Sequence, residues 1–349
     1  MDNDGILLSV RNLSTYFFTA KGVVKAVQNV GFSIKRGQTF ALVGESGCGK
    51  TTTALSIMRL LPHPQSKIVA GEIVFEGRNL LALTKRQMRQ VRGNRIAMVF
   101  QEPAISLNPV FTIGNQIAEA IKLHQKKNSK RAFSGAVEML RKVQISDPTQ
   151  RARQYPHQLS GGMCQRAMIA MAVSCNPALL IADEPTTALD VTTQAQILDL
   201  LDELQKQNAT SILLITHNLG IVAERANEVA VMYGSQIVEI AESRKLFAGP
   251  LHPYTQGLLK SLPLLRLHSG QELGFWGKRL PTIPGNVPDP LHYPLGCKFH
   301  PRCPIGSRDK TCQTCEPKLK QVQPGHSVAC WYARGYKINE VLKNQNAKL

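Results

Sequence analysis

The segment Gly44-Glu45-Ser46-Gly47-Cys48-Gly49-Lys50-Thr51 fits the pattern G-x-x-x-x-G-K-[ST]. It lies between an apolar run, Phe40-Ala41-Leu42-Val43, and a helix-like stretch over residues 52–61. A strand, a glycine-rich loop and a helix are therefore predicted in that order. Glycines let the backbone curl so that successive N–H groups point at phosphate oxygens, and the helix adds the positive end of its dipole. Lys50 is placed to reach the β- and γ-phosphates, Thr51 to coordinate the Mg²⁺ that bridges them, and Thr52 to continue the nest into the helix. A nucleotide is the expected occupant. Cys48, beside Lys50 and a helix N-terminus, is expected to ionise more readily than a free thiol.

Four further groups follow along the chain. Residues 178–182 are an apolar run, read as a buried parallel strand, that ends in Asp183-Glu184-Pro185. Asp183 is the candidate Mg²⁺ ligand and Glu184 the candidate general base for the attacking water. The run at 211–215 delivers His217 to the same sheet edge, where a neutral imidazole would contact the γ-phosphate and the water. Gln101 closes a third apolar run, 96–100, and is aimed at the metal and water. Ser160-Gly161-Gly162 opens a helix-like stretch and offers a second anion nest.

Taken in order with Asp190, these groups resemble the nucleotide-binding subunit of ABC transporters over about residues 5–245. The resemblance implies an α/β fold: an ABC-type phosphate-loop ATPase with a mixed sheet, an antiparallel β subdomain and a helical subdomain at about 102–175. It implies that Ser160, Gly161 and Gly162 serve the ATP on a partner's phosphate loop, and that Asp190 helps join the two halves. Met163 stands where that family has Gln, which leaves the backbone nest intact. Residues 7–18 and 24–35 read as antiparallel strands, and Phe17, with Tyr16 next, matches the aromatic that stacks on adenine in such subunits. Core packing explains an aromatic there equally well. Residues 195–207 read as an amphipathic helix, and 228–241 as two short strands about a turn at Tyr233-Gly234-Ser235.

At 349 residues, 43% of them apolar, the chain is long enough for a large core plus an appendage. No apolar run approaches the ~20 residues needed to span a bilayer. Met1-Asp2-Asn3-Asp4-Gly5 does not read as a signal peptide, so a cytoplasmic protein is expected, with its eight cysteines as thiols or ligands. The net charge of +18 is uneven: nine Lys or Arg lie within 122–153, and Lys85, Arg86, Arg89, Arg92 and Arg95 form a second cluster. Few aromatics interleave with these charges, which counts against a surface for single-stranded nucleic acid. Attraction to an anionic inner leaflet accounts for the first cluster, and a solvated face is the ordinary explanation for both.

Beyond residue 245 the composition changes. Prolines concentrate between Pro250 and Pro304, and five cysteines lie between Cys297 and Cys330. Gaps of five, eight and seventeen residues between Cys297, Cys303, Cys312 and Cys330 fit neither a ferredoxin run nor a paired C-x₂-C zinc ribbon. Residues 250–255, 284–288 and Cys297-Lys298-Phe299-His300-Pro301-Arg302-Cys303 resemble the C-terminal extension of oligopeptide and dipeptide importer ATPases, a group whose relatives carry nickel, glutathione or antimicrobial peptides. That resemblance implies a [4Fe–4S] cluster on Cys297, Cys303, Cys312 and Cys330, with Cys315 extra. Zinc, with His300 or His326 substituting, and plain buried thiols stay open. The domains read as 1–245, the ATPase, and 246–349, a separate module. Loss of a metal there is expected to leave hydrolysis at Glu184 intact.

The expected activity is ATP hydrolysis driving peptide import. The implied partners are a second ATPase subunit in a heterodimer, two membrane permeases and an extracytoplasmic solute-binding protein, at the cytoplasmic face of the membrane. A soluble ABC protein acting on nucleic acid usually has two tandem ATPase units or a long coiled coil, and this chain has neither. The importer-like tail disfavours an exporter.

Overall fold

The computed structural model describes residues 5–334 apart from Ala188, Leu264, 267–271 and 274–279. Residues 1–4 and 335–349, the ends of the two expected domains, lie outside the described residues. Alternating apolar positions near the N-terminus make a four-stranded antiparallel sheet in the order β2-β1-β4-β5, from β1 (Ile6–Thr19), β2 (Gly22–Lys35), β4 (Ser66–Phe75) and β5 (Arg78–Asn79). Leu8, Val10 and Leu13 of β1 face Ile34, Phe32 and Val30 of β2. All of these are buried, and they pack against Phe40 and Leu42 of the second sheet.

That second sheet has eight strands. Its parallel part runs β6-β7-β8-β3-β9: β6 (Ile96–Val99), β7 (Leu179–Asp183), β8 (Ser211–Ile215), β3 (Thr39–Val43) and β9 (Glu228–Tyr233). Every residue of β3, β6, β7 and β8 is buried. Continuous apolar runs, rather than alternating ones, are what a parallel sheet covered on both faces requires. Helices α1 (Lys50–Met58) and α2 (Lys85–Val91) follow β3 and β5, the latter opened by a Thr84–Gln87 capping box. Two of the arginines in the second basic cluster turn inward: Arg92 donates to the Met58 and Arg59 carbonyls, and Arg95 pairs with Glu76.

Between β6 and β7 lie five helices: α3 (Pro103–Ser106), α4 (Ile113–Gln125), α5 (Ser129–Lys142), α6 (Pro148–Arg151) and α7 (Gly161–Val173). Ile113, Ile117 and Ile121 of α4 recur at helical spacing and meet Ala132, Ala136 and Leu140 of α5 in one core with α7. Ile197, Leu200, Leu201 and Leu204 of α8 (Val191–Asn208) complete that core. Helix α9 (Leu219–Arg225) leads into β9, which turns through Gly234 and Ser235, both at positive φ, into β10 (Gln236–Glu242).

After α10 (Ser243–Ala248) and α11 (Pro253–Lys260), β11 (Leu265–Arg266) and β12 (Glu272–Leu273) form a two-residue ladder. Beyond α12 (Lys310–Thr314), β13 (Lys320–Gln323) and β14 (His326–Val328) return to the main sheet, where β14 pairs antiparallel with β10. The composition change near residue 250 thus coincides with no break in the sheet. The β10 edge, which would otherwise expose unpaired backbone groups, is covered by the tail. Glu239 of β10, wholly buried, fixes this join: it accepts from the Leu251 and His252 amides at 2.7 and 3.0 Å and contacts His326 Nε2 at 2.7 Å.

His252 is fully enclosed, and its Nδ1 accepts from the Tyr254 amide at 3.0 Å, capping α11. Burial pushes its pKa from 6.5 down to about 4, although Glu239 opposes the shift. The unfolded chain therefore takes up this proton at a higher pH than the folded one. The contribution of His252 is intact above about pH 6.5 and is lost as pH falls toward 4, by at most about 3 kcal/mol. His252→Gln should flatten the fall in melting temperature across that window; an unchanged slope would mean another group carries it.

Candidate functional site

The phosphate loop needs glycine at two positions for plain steric reasons. A Cβ on Gly44, at φ +151°, would lie 2.2 Å from the Met232 carbonyl oxygen, and one on Gly49, at φ +105°, would lie 2.3 Å from that of Ala26. Lys50 is buried within the curl and donates to the Gly44 and Glu45 carbonyls at 2.8 and 3.0 Å. Ser46 and Gly47 are exposed at the loop crest, and Thr52 is half-buried in α1. Cys48 departs from expectation. It is 1% exposed, and burial pushes its thiol up, outweighing the lowering effect of Lys50. The helix end and the ammonium are there, but the sulfur is turned away from water.

Parallel strands deliver the remaining groups to the same edge. Thr51 Oγ1 donates to Asp183 Oδ1 at 3.2 Å. Burial raises the pKa of Asp183 and Glu184 adds to the rise, while Thr51 and Lys50 oppose it. Glu184 adopts φ +46°, uncommon for a residue with a side chain, and its amide donates to the Ile215 carbonyl at 2.8 Å. This backbone turn separates the two neighbouring carboxylates. Glu184 accepts from Gln101 Nε2 at 3.0 Å and from Thr187 Oγ1 at 2.9 Å, and meets His217 Nδ1 at 3.2 Å. With Glu184 ionised, that last contact requires the proton on Nδ1, leaving Nε2 free for another partner. Gln101, Glu184 and His217 are thus brought together beside Asp183 and Thr51. Sequence reasoning misses Thr187, whose one cue is a hydroxyl three residues after the acid.

Ser160, Gly161 and Gly162 stand elsewhere. Ser160 Oγ caps α7 by accepting from the Met163 amide, and Ser160 and Gly161 are exposed. A Cβ on Gly162 would lie 3.0 Å from Thr193 Cγ2, and Thr193 bonds both oxygens of Asp190, the cap of α8. Among the described residues, neither Ser160 nor Asp190 bonds the chain's own phosphate loop. Gln165 of α7 reaches the Pro185 carbonyl at 2.6 Å, joining this helix to the Glu184 turn. Phe17 is half-buried near the end of β1, opposite Val24 and Ser66, with Tyr16 half-buried beside it.

Two residues of the tail enter the site unannounced. The Glu45 amide donates to Tyr254 Oη at 3.0 Å, and Arg302 holds both Glu45 carboxylate oxygens at 2.8 and 3.1 Å. Both residues fall within segments that stand out in the sequence, yet nothing in the sequence links position 302 to position 45. The expectation that the tail and hydrolysis are independent loses its basis here.

Two of the tail cysteines, Cys303 and Cys312, meet at Gly306. Its amide donates to Cys303 Sγ at 3.2 Å, and a Cβ there would lie 2.7 Å from Cys312 Sγ. The Cys297 amide donates to the Cys312 carbonyl at 2.8 Å. Burial first, and then the neighbouring cysteines, push Cys297 up to about 11 and Cys312 up to about 12; burial also raises Cys330. Cys315 is half-exposed, outside this group. His300 and His326 are engaged by the Cys297 carbonyl and by Glu239. Among the described residues, no group of three or more His, Cys, Asp or Glu is arranged to hold a metal ion. The four cysteines expected to hold iron–sulfur thus share one neighbourhood without forming a coordination site.

The ABC transporter family model matches residues 27–187, and the model of the oligopeptide/dipeptide transporter C-terminal region matches 238–312. The solved structure of a dimeric ATP-binding cassette in a post-hydrolysis state, bound to ADP and Pi, superposes with a TM-score of 0.62 at 24% identity, covering 68% of this chain and 99% of that one. The fold is that of an ABC ATPase. A probable peptide ABC transporter ATP-binding protein of Sinorhizobium fredii is 53% identical over 93% of this chain and 95% of its own length. The oligopeptide transport ATP-binding protein AppD of Bacillus subtilis is 50% identical over 93% and 96%. The dipeptide transport ATP-binding protein DppD of Escherichia coli is 44% identical over the same shares. The chain belongs to the family of peptide ABC transporter ATP-binding proteins, and it binds and hydrolyses ATP.

Gly49→Ala should abolish detectable MgATP binding by the full-length protein and lower its stability by about 1–3 kcal/mol, because φ and the Ala26 carbonyl both oppose a methyl group. Equilibrium binding and thermal melting check this. Binding as tight as in the unsubstituted protein would place the nucleotide elsewhere.

Proposed function

We propose that this protein hydrolyses ATP to drive the import of peptides through two membrane permeases fed by an extracytoplasmic solute-binding protein. It works as one of two unlike ATPase subunits on the cytoplasmic face of the membrane. No helix among the described residues is long and apolar enough to cross a bilayer, in keeping with a peripheral subunit. The observation that carries the reading is the convergence of Gln101, Glu184 and His217 beside Asp183 and Thr51. In this reading Glu184 is the general base, His217 Nε2 serves the γ-phosphate, and Gln101, bonded to Glu184, is one of the residues that would hold the metal. Thr51, Gln101 and Asp183 would hold Mg²⁺, which when bound would neutralise charge on the phosphates. The hydroxyl–carboxylate pair of Thr51 and Asp183 fits that ion, which would also relieve a buried Asp183 carboxylate.

Phe17 stacks on adenine in this reading. Ser160, Gly161, Gly162 and Asp190 lie on the face that meets the partner ATPase in this reading, where Ser160, Gly161 and Asp190 are exposed and Gly162 is half-buried. The division near residue 245, with the helical subdomain at about 102–175, belongs to the same proposal.

Glu184→Gln in the assembled transporter should keep ATP binding and lose turnover by ~10²-fold or more. Steady-state ATPase assays decide this, and near-normal turnover would remove Glu184 from its role.

In the extension, Cys297, Cys303, Cys312 and Cys330 supply thiols of the kind that ligate an iron–sulfur cluster, with zinc as the alternative, although their arrangement among the described residues forms no metal site. Protein purified without air should then be brown, absorb broadly near ~400 nm and contain iron and sulfide. Each of those four cysteines changed to Ser should lose the metal, while Cys315→Ser keeps it. Colourless protein holding zinc would settle for the alternative, and neither metal in never-oxidised, chelator-free protein would refute the ligand set.

A further inference from the structure

The buried guanidinium of Arg302 is fully used. Nε donates to the Pro284 carbonyl at 2.9 Å, the two Nη atoms grip both oxygens of Glu45, and their remaining hydrogens face Tyr233 Oη and the Ile283 carbonyl, each at 3.5 Å. This accounts for all the donors an arginine has. Its target is the second residue of the phosphate loop. From the same side Tyr254, wholly buried, takes the Glu45 amide, and its ring packs with those of Tyr233 and Phe299 at centroid distances of 4.6 and 5.4 Å. Tyr233 ends β9, whose Met232 carbonyl already abuts Gly44. The loop therefore rests on a strand end on one side and on the tail on the other.

A carboxylate in a phosphate-binding loop is an electrostatic liability, because it repels the polyanion the loop must hold. It also makes a handle by which the loop can be fixed. Arg302 does both jobs: it neutralises Glu45 and, through two parallel hydrogen bonds, sets its orientation. Tyr254 fixes the Glu45 amide, and with it the direction of the Gly44 carbonyl in the same peptide plane, to which Lys50 donates.

Resting on the reading that ATP is held at residues 44–51, we propose that Arg302 and Tyr254 are positioning residues for ATP: the C-terminal extension sets the shape and charge of the phosphate loop. MgATP affinity then depends on residues that lie more than two hundred positions downstream of the loop.

Five variants of the full-length protein test this, with equilibrium MgATP binding at low and high salt and turnover in the assembled transporter. Arg302→Gln leaves Glu45 bare; it should weaken binding about tenfold or more at low salt, less at high salt, and raise KM while kcat at saturating ATP changes little. Arg302→Lys, which keeps the charge but loses the fork, should fall between. Adding Glu45→Gln to Arg302→Gln should recover most of the lost affinity, which a purely structural role for Arg302 would not allow. Tyr254→Phe should raise KM a few-fold, by about 3, without altering the salt dependence. Should Arg302→Gln fail to fold, Arg302→Lys and Tyr254→Phe still decide, and wild-type affinity in both overturns the proposal. So does binding within twofold of wild type in Arg302→Gln, or a double variant as weak as the single. Lys50→Ala separates the two readings: lost binding there beside normal binding in Arg302→Gln overturns the positioning role alone, whereas normal binding in Lys50→Ala overturns both.

Discussion

The pairing of β7 with β8 places Asp183 opposite Ile215, and the pairing of β8 with β3 places Ile215 opposite Leu42. This register governs the site. Strand side chains alternate between faces, so a slip of one residue would turn Asp183 away from Thr51 and carry His217 away from Glu184. The strands resist slipping because every residue in them is buried, with helices α7 and α8 on one face and the N-terminal sheet together with α1 on the other. The ladder continues one residue beyond β7, through the Glu184 amide and the Ile215 carbonyl, at the cost of a positive φ. Two adjacent acids can thereby take different tasks: Asp183 faces the loop and Glu184 faces Gln101, Thr187 and His217.

Much of this was legible in the residues because each functional group ends or begins a regular element. Apolar runs announced β3, β6, β7 and β8, and the polar residues just past them could be assigned to one edge without knowing the strand order. Residues 195–207 read correctly as a helix because Ile197, Leu200, Leu201 and Leu204 keep its period, although the helix itself opens earlier, at the Asp190 cap. What the sequence hid depends on burial depth and on distant pairs. Cys48 has the neighbours that acidify a thiol, but neighbours in sequence do not tell whether solvent reaches the sulfur, and here it does not. Thr187 was invisible because a hydroxyl in a turn has many ordinary uses.

The tail shows the same limit on a larger scale. Its proline and cysteine content marks a change of composition, yet composition says nothing about which sheet β13 and β14 will join. The pairing of β14 with β10, on which β13 then adds, is held by Glu239, a buried acid that meets two amides and a histidine from the tail. Such a group is tolerable only when every partner is in place. The cysteines follow a related logic: their gathering was implied by a family resemblance, whereas their spacing pointed nowhere.

Arg302 follows Glu45 by 257 residues. Chains emerge from the ribosome N-terminus first, and domains generally fold as units while synthesis proceeds. The phosphate loop, α1 and most of the parallel strands are therefore made well before the two side chains that fasten Glu45. A nascent chain halted before residue 254 carries the entire nucleotide-binding motif but neither of its tail anchors, and the strand that covers the β10 edge is still to come. The contacts of Tyr254 and Arg302 with Glu45 can therefore form only after every other residue of the nucleotide-binding motif has been made.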